Sequence, residues 1–364
     1  TAGVEVADTL LQIRDRIDPK YVLGRGKLEQ LVIRAMQLDV EVLIFDRNLS
    51  PAQAAAISKM TDLKVIDRSQ LILDIFAQRA ESRDGKLQVE LAQMKYLLPR
   101  LGSRDDALSR LTGGIGGRGP GETKLEIGRR RADARITRIR GSLKKLAGHR
   151  KQRRSRRARS GVPTAAIIGY TNAGKSTLLN ALTGSEVFAE DKLFATLDTR
   201  SRRMRFEDGL EAVITDTVGF IRELPKDLFA AFRATFEEAQ DADLLLHLVD
   251  ASDPAFDEHL LTTERLLLEL ELERIPRLLV FNKVDRLEPG RAEELGSRHR
   301  AQSISALDPA SFDPLLAAMA EVLRESRSAE PELDEAEPDA QEPDAQEPGA
   351  QEPGAPAEEL ISWR

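Results

Sequence analysis

Apolar positions change their period twice along the chain, and the two changes divide it into parts. In the first part, strand-like runs alternate with helical ones. VEVADTLLQI (4–13) and VEVLIFD (40–46) carry the two-residue alternation of a half-buried strand, with a helix from about Lys27 between them. Ser50, Pro51 and Gln53 then predict a helix start. Serine is the cap, proline occupies the first helical position, and glutamine at the third reaches back to complete a capping box. A short strand near LKVID (63–67) and a helix from Ser69 finish a small α/β unit.

From about Leu87 the spacing becomes helical and long. Leu87, Leu91, Met94, Leu98 and Leu101 recur at intervals of four and three, as do Ala132, Ile136, Ile139, Leu143 and Leu146 beyond a glycine cluster. This predicts two helices packed as an antiparallel hairpin. Pro99 should interrupt the first helix, and the second should run from Lys124 to at least Leu146, roughly 35 Å. The period then shifts again. AAIIG, AVITD, LLLHLVD, RLLVFN and AQSISA are separated by helical stretches, as in a largely parallel, doubly wound sheet. The fold class is therefore α/β with four parts: 1–84 a small α/β domain, 85–160 a basic helical hairpin, 161–327 a doubly wound domain, and 328–364 an acidic tail.

Charge sharpens this division. The net charge of -7 hides a tail, 330–364, with 12 acidic residues and one basic, so the remainder carries +4. Residues 129–159 alone hold 15 Lys or Arg against one Asp, a concentration suited to a phosphate backbone. The tail repeats EPDAQ and EPGAQ with almost nothing to bury, and reads as disordered, either a solvated spacer or an interaction segment. Cysteine is absent, which excludes disulfides and thiolate metal sites. No run approaches a membrane span and no signal pattern opens the chain, so the expectation is a cytoplasmic protein. Residue 1 is threonine, consistent with a first domain that continues upstream.

The chemistry lies in the third part. Gly169, Tyr170, Thr171, Asn172, Ala173, Gly174, Lys175 and Ser176 spell the phosphate-binding loop G-x-x-x-x-G-K-[ST], after a strand and before a helix opening with Thr177. Its backbone N–H groups would wrap the phosphates, Lys175 would reach the β and γ phosphates, and Ser176 would hold Mg²⁺. Thr196, within Phe194, Ala195, Leu197 and Asp198, stands where a switch loop supplies a second Mg²⁺ ligand. Asp216, ending AVITD and followed by Thr217, Val218 and Gly219, is placed to hold the metal while Gly219 senses the γ-phosphate. Lys175, Thr196 and Gly219 are thus the candidate catalytic groups.

Asn282, Lys283 and Asp285 form NKVD. A carboxylate at Asp285 accepts from guanine N1–H and the 2-amino group, which adenine cannot offer. Ser305 and Ala306 would aim N–H groups at guanine O6. Asn172 fits two readings equally, a ligand for K⁺ beside the phosphates or a former of a tight turn. Phe220 occupies the position where Ras-like proteins carry the glutamine that orients water, so water must be ordered otherwise, or the ring has a packing role. Gly114, Gly116 and Gly119 match G-x-G-x-x-G, but no strand precedes them; they read as a hairpin tip carrying Arg118, or a plain linker.

With GYTNAGKS, FATLDTR, DTVGFI, NKVD and SA in order, this P-loop segment resembles the HflX family of translational GTPases. GRGKLEQL (24–31), residues 80–101 and GGIGGRGPGETKLE (113–126) extend the resemblance over about 5–325. The resemblance implies GTP and GDP binding with Mg²⁺, hydrolysis stimulated by the ribosome, and attachment to the large ribosomal subunit and its rRNA. It also implies splitting or rescue of stalled ribosomes under stress, with a tip loop approaching the peptidyl transferase centre. The expected protein is a monomer with no DNA partner. A ribosome-assembly checkpoint that uses GTP without splitting stays open as the alternative. The family usually has more chain before residue 1, and the acidic repeat departs from it.

Overall fold

The computed structural model of the chain describes residues 2–13, 15–101, 124–158, 161–184, 199–221, 236 and 239–329. The Gly114–Gly119 cluster, the Phe194–Asp198 loop with Thr196, and the acidic repeats lie outside them.

The small α/β unit is organised around the predicted cap. Ser50 Oγ accepts from the Gln53 N–H at 3.2 Å and Gln53 Oε1 accepts from the Ser50 N–H at 2.9 Å, opening α2 (Pro51–Thr61). With α1 (Arg25–Gln37) it covers a parallel pair, β1 (Val42–Phe45) and β2 (Lys64–Asp67), over a core of Leu28, Leu43, Phe45 and Ile57. One expectation fails. Residues 4–13 form no strand, and Val6, Leu11 and Ile13 are exposed, Ile13 at 91%. Alternation specifies the two faces of a strand but not the edge it must pair with. Here the segment is held by side chains, Asp8 to Arg34 at 2.9 Å and Gln12 to the Gly24 N–H at 3.0 Å.

α3 (Arg68–Arg79) is capped by Asp67, and α4 (Arg83–Leu97) by Ser82. Pro99 lacks an N–H to continue the helix, which ends at Leu97 as an interruption there requires, and the chain tightens into a 3₁₀ turn over Leu98–Arg100. There Arg100 lies 3.5 Å over the Tyr96 ring and donates to Leu49 O at 2.8 Å and Asp67 Oδ2 at 3.1 Å, fastening the end of α4 to the small unit. α5 (Lys124–Ala158) starts at Lys124 and runs on past Leu146, its 35 residues spanning about 52 Å. Ile136 and Ile139 are buried against Leu91, with Leu87, Met94, Leu98 and Leu143 around them, so the heptad-like spacing does locate the contact. Arg135 grips Glu90 through two bonds of 2.6 and 2.9 Å.

The remaining strands form one sheet in the order β4-β5-β3-β6-β7-β8. They are β3 (Thr164–Gly169), β4 (Arg200–Arg205), β5 (Glu211–Asp216), β6 (Leu244–Asp250), β7 (Arg277–Asn282) and β8 (Gln302–Ser303). All neighbours are parallel except β4, which runs antiparallel to β5. Apolar alternation does not mark β4, because RSRRMR buries only Met204. Alternate residues of β3 and β6 feed two cores on opposite faces. One holds Ala165, Ile167, Leu244 and Leu246 with α6 (Lys175–Thr183) and α9 (Asp313–Ala329). The other holds Ala166, Ile168 and Leu245 with α7 (Phe256–Glu269), and it also takes in Phe220, with Ile72, Leu73 and Phe76 of α3 and Val89 and Ala92 of α4. α8 (Arg291–His299) sits beside β7 and β8. No helix among the described residues is long and apolar enough to cross a membrane.

Candidate functional site

The C-terminal ends of β3, β5, β6, β7 and β8 bring their loops to one edge of the sheet, where open α/β folds bind ligands. At the end of β3 the chain curls through Gly169 (φ 148°), Asn172 (φ 63°) and Gly174 (φ 94°). Glycine is required twice by space as well as by angle. A Cβ at Gly169 would lie 2.1 Å from Leu248 O, and one at Gly174 would lie 2.3 Å from Asn282 Nδ2. Asn172 is exposed and left-handed, so its turn role is sufficient to explain an asparagine there.

Lys175 opens α6 with its Nζ donating to Tyr170 O at 2.9 Å, folded back inside its own loop. Burial lowers its pKa to about 8, against the opposing pull of the Asp216 carboxylate. Asp216, fully buried at the end of β5, accepts from Ser176 Oγ at 2.6 Å. A hydroxyl and a carboxylate held together are the hard oxygen donors that Mg²⁺ takes, so the residues fit that ion. Thr217 Oγ1 donates to Ile167 O at 2.8 Å and pins the loop to β3. At Gly219 a Cβ would stand 2.8 Å from Lys175 Nζ and 2.8 Å from Thr171 Cα, so only glycine permits this approach.

Phe220 then closes the two phosphate-side loops together. Its N–H donates to Gly169 O at 3.0 Å and its carbonyl accepts from the Thr171 N–H at 2.8 Å. The ring turns inward, 3% of the residue exposed, and stacks on Phe236 at 5.0 Å. The packing role is therefore realised.

On the opposite side Asn282 joins three loops. Its Nδ2 donates to Ala173 O and its Oδ1 accepts from the Ala306 N–H, both at 2.8 Å. Asp285 accepts from Ser305 Oγ at 2.6 Å. In the β8 loop, where Ser305 and Ala306 are expected to meet guanine O6, the Ser305 N–H donates to Ser311 Oγ at 3.1 Å and the Ala306 N–H to Asn282 Oδ1 at 2.8 Å, and both bonds brace the loop. Asp250 also belongs to the site, although the strand pattern marks it only as an end. Its carboxylate holds Lys283 at 2.7 Å. Burial works to raise that carboxyl, but the Lys283 and Ser252 hydrogen bonds prevail and hold it below its ordinary value.

Three family models match consecutive stretches of the chain. They are described as GTP-binding GTPase N-terminal over 1–77, GTP-binding GTPase Middle Region over 79–157, and 50S ribosome-binding GTPase over 164–283. A GTPase HflX from Caldanaerobacter subterraneus subsp. tengcongensis is 49% identical over 79% of this chain and 67% of its own length. A GTPase HflX from Lacrimispora saccharolytica is 45% identical over 90% of this chain and 77% of its own. A GTP-binding protein from the archaeon Sulfolobus solfataricus, solved with GDP, covers 86% of this chain and 89% of its own at 22% identity and a TM-score of 0.47, too distant to carry an argument.

Proposed function

The chain belongs to the HflX family of GTPases, which bind and hydrolyse GTP, and from that premise we propose that it attaches to the large ribosomal subunit and splits or rescues stalled ribosomes. The carrying observation is the construction of α5. Its apolar stripe, Ile136 and Ile139, is covered by α4, while Arg129, Arg131, Arg138 and Arg140 face solvent. A long rod with buried apolar residues and exposed guanidiniums is suited to lie along rRNA phosphates. The family description of a 50S ribosome-binding GTPase, matched over 164–283, supports a ribosomal partner for the chain.

In this reading the nucleotide times the grip. Lys175 would turn from Tyr170 O to the phosphates, and Ser176 and Asp216 would hold Mg²⁺ between them, with Thr196 from its loop. Mg²⁺ would supply positive charge against the β and γ phosphates. Asp285 would select guanine, Lys283 and Asp250 would fix that loop, and the Gly219 N–H would register the γ-phosphate. Because the Phe220 ring is directed into the core, no side chain at that position is available to order water, and slow hydrolysis awaits the ribosome or K⁺ at Asn172. Residues after Gly219 share their core with α3 and α4, so loss of the γ-phosphate would be felt at the base of the basic helix.

Co-sedimentation with purified large subunits across a salt series tests the attachment. Binding should be strongest with a non-hydrolysable GTP analogue and should fall steeply with salt. Binding only to immature subunits would favour the assembly-checkpoint alternative, and turnover indifferent to ribosomes would contradict both.

A further inference from the structure

The loop that would wrap the phosphates leans on α7 through one contact that the motif does not predict. The Tyr170 ring lies face to face with the imidazole of His259, centroids 3.7 Å apart and planes 13° from parallel. His259 is mostly buried, and its Nδ1 lies 3.7 Å from Asp253 Oδ2 in the loop between β6 and α7. Tyr170 is also where the other constraints on the loop meet. Its carbonyl accepts from Lys175 Nζ, and its backbone bridges to Phe220 in a parallel pair. β6 and α7 thus touch both halves of the site, Asp250 at the end of β6 holding Lys283 on the base side and His259 in the first turn of α7 stacking on Tyr170 on the phosphate side.

We infer that His259 is a positioning residue for the phosphate loop, holding Tyr170 so that the carbonyl that receives Lys175 and the N–H groups beyond it keep the curvature a phosphate requires. This rests on the reading of Gly169–Ser176 as the phosphate site. N–H groups converge on an anion only while the loop keeps its shape, so a lost ring contact weakens binding without touching ligand. An aromatic stack of this geometry is worth about two- to tenfold in an equilibrium constant. Base choice, set by Asp285, should not change.

Stopped-flow release of a fluorescent guanine nucleotide from the full chain tests the inference. His259→Ala should speed release of GDP and of a GTP analogue by the same factor, about two- to tenfold. Its preference for guanine over adenine nucleotides should stay that of the parent. His259→Phe, which keeps a ring over Tyr170, should restore the parent rate. Unchanged release in His259→Ala, even with a lowered melting temperature, would reduce His259 to packing and overturn the inference, as would a His259→Phe variant as fast as His259→Ala. Lys175→Ala in the same assay separates the two claims. If it retains nucleotide normally, the phosphate-site reading itself fails; if it loses nucleotide while His259→Ala is normal, only the role of His259 fails.

Discussion

Phe220 is tied to Thr171 by a 2.8 Å hydrogen bond from the Thr171 N–H to its own carbonyl, while its ring stacks on Phe236 in a core that also takes in residues of α3 and α4. One residue therefore holds the phosphate loop through its backbone and enters, through its side chain, the core that the N-terminal helices share. Phe220→Ala should cost about 3–5 kcal/mol of stability by opening a core cavity. Phe220→Gln should also destabilise, since a buried amide without partners costs about 1–3 kcal/mol. Neither should accelerate hydrolysis in the absence of ribosomes, because a glutamine side chain there would start from the core and not from solvent. Thermal melts with single-turnover hydrolysis check this; a Phe220→Gln variant that hydrolyses faster than the parent would show that side-chain chemistry at 220 limits the rate.

This division of labour shows what the sequence discloses and what it hides. Ser50 and Gln53, Pro99, and the Ile136–Ile139 stripe act locally, so pattern and structure agree. The loops spelled GYTNAGKS, DTVG and NKVD are legible because their chemistry needs fixed residue types. VEVADTLLQI misleads, since alternation cannot reveal a missing partner edge, and Arg200–Arg205 escapes notice because an edge strand can be covered in arginines. The stack of Tyr170 on His259 joins residues 89 positions apart and has no sequence signal.

Lys175 links nucleotide binding to protons. With its pKa lowered to about 8 in the free site, the amine is partly neutral at that pH, and bound phosphates would favour its charged form. Binding should therefore take up protons near pH 8, and affinity should fall as pH rises through that value. Calorimetry in buffers of different ionisation enthalpy measures the uptake. Lys175→Ala should lose both the linkage and hydrolysis; undiminished turnover would contradict the assignment.

Asp285 should decide the base. Asp285→Asn replaces an acceptor with a donor facing the guanine 2-amino group, and should lower GTP affinity on the order of 10⁴-fold. Its bond from Ser305 Oγ can be kept through the amide oxygen, so the melting temperature should change little. Competition between guanine and xanthine nucleotides measures the exchange, and retained GTP preference would place specificity elsewhere.

His247, fully buried on β6, has no hydrogen-bond partner for either ring nitrogen among the described residues. Burial, with the nearby Arg277 charge, lowers its pKa to about 3, so the folded chain keeps it neutral where the unfolded chain would protonate it. The unfolded state then binds the extra proton between about pH 6.5 and 3, and stability should fall as pH drops through that window. Denaturant melts of His247→Leu should show a shallower fall over that range. An identical slope would mean the imidazole is not a source of acid sensitivity.

The proposed separation of ribosomal subunits by the GTP-bound chain through α5 is tested most directly by gradient sedimentation of intact ribosomes with the full chain and GTP. Free subunits should accumulate. With Arg138→Glu and Arg140→Glu together, that accumulation should be lost while guanine nucleotide affinity is kept. Intact ribosomes that stay joined at saturating protein, with the chain migrating on immature particles or on none, would contradict it.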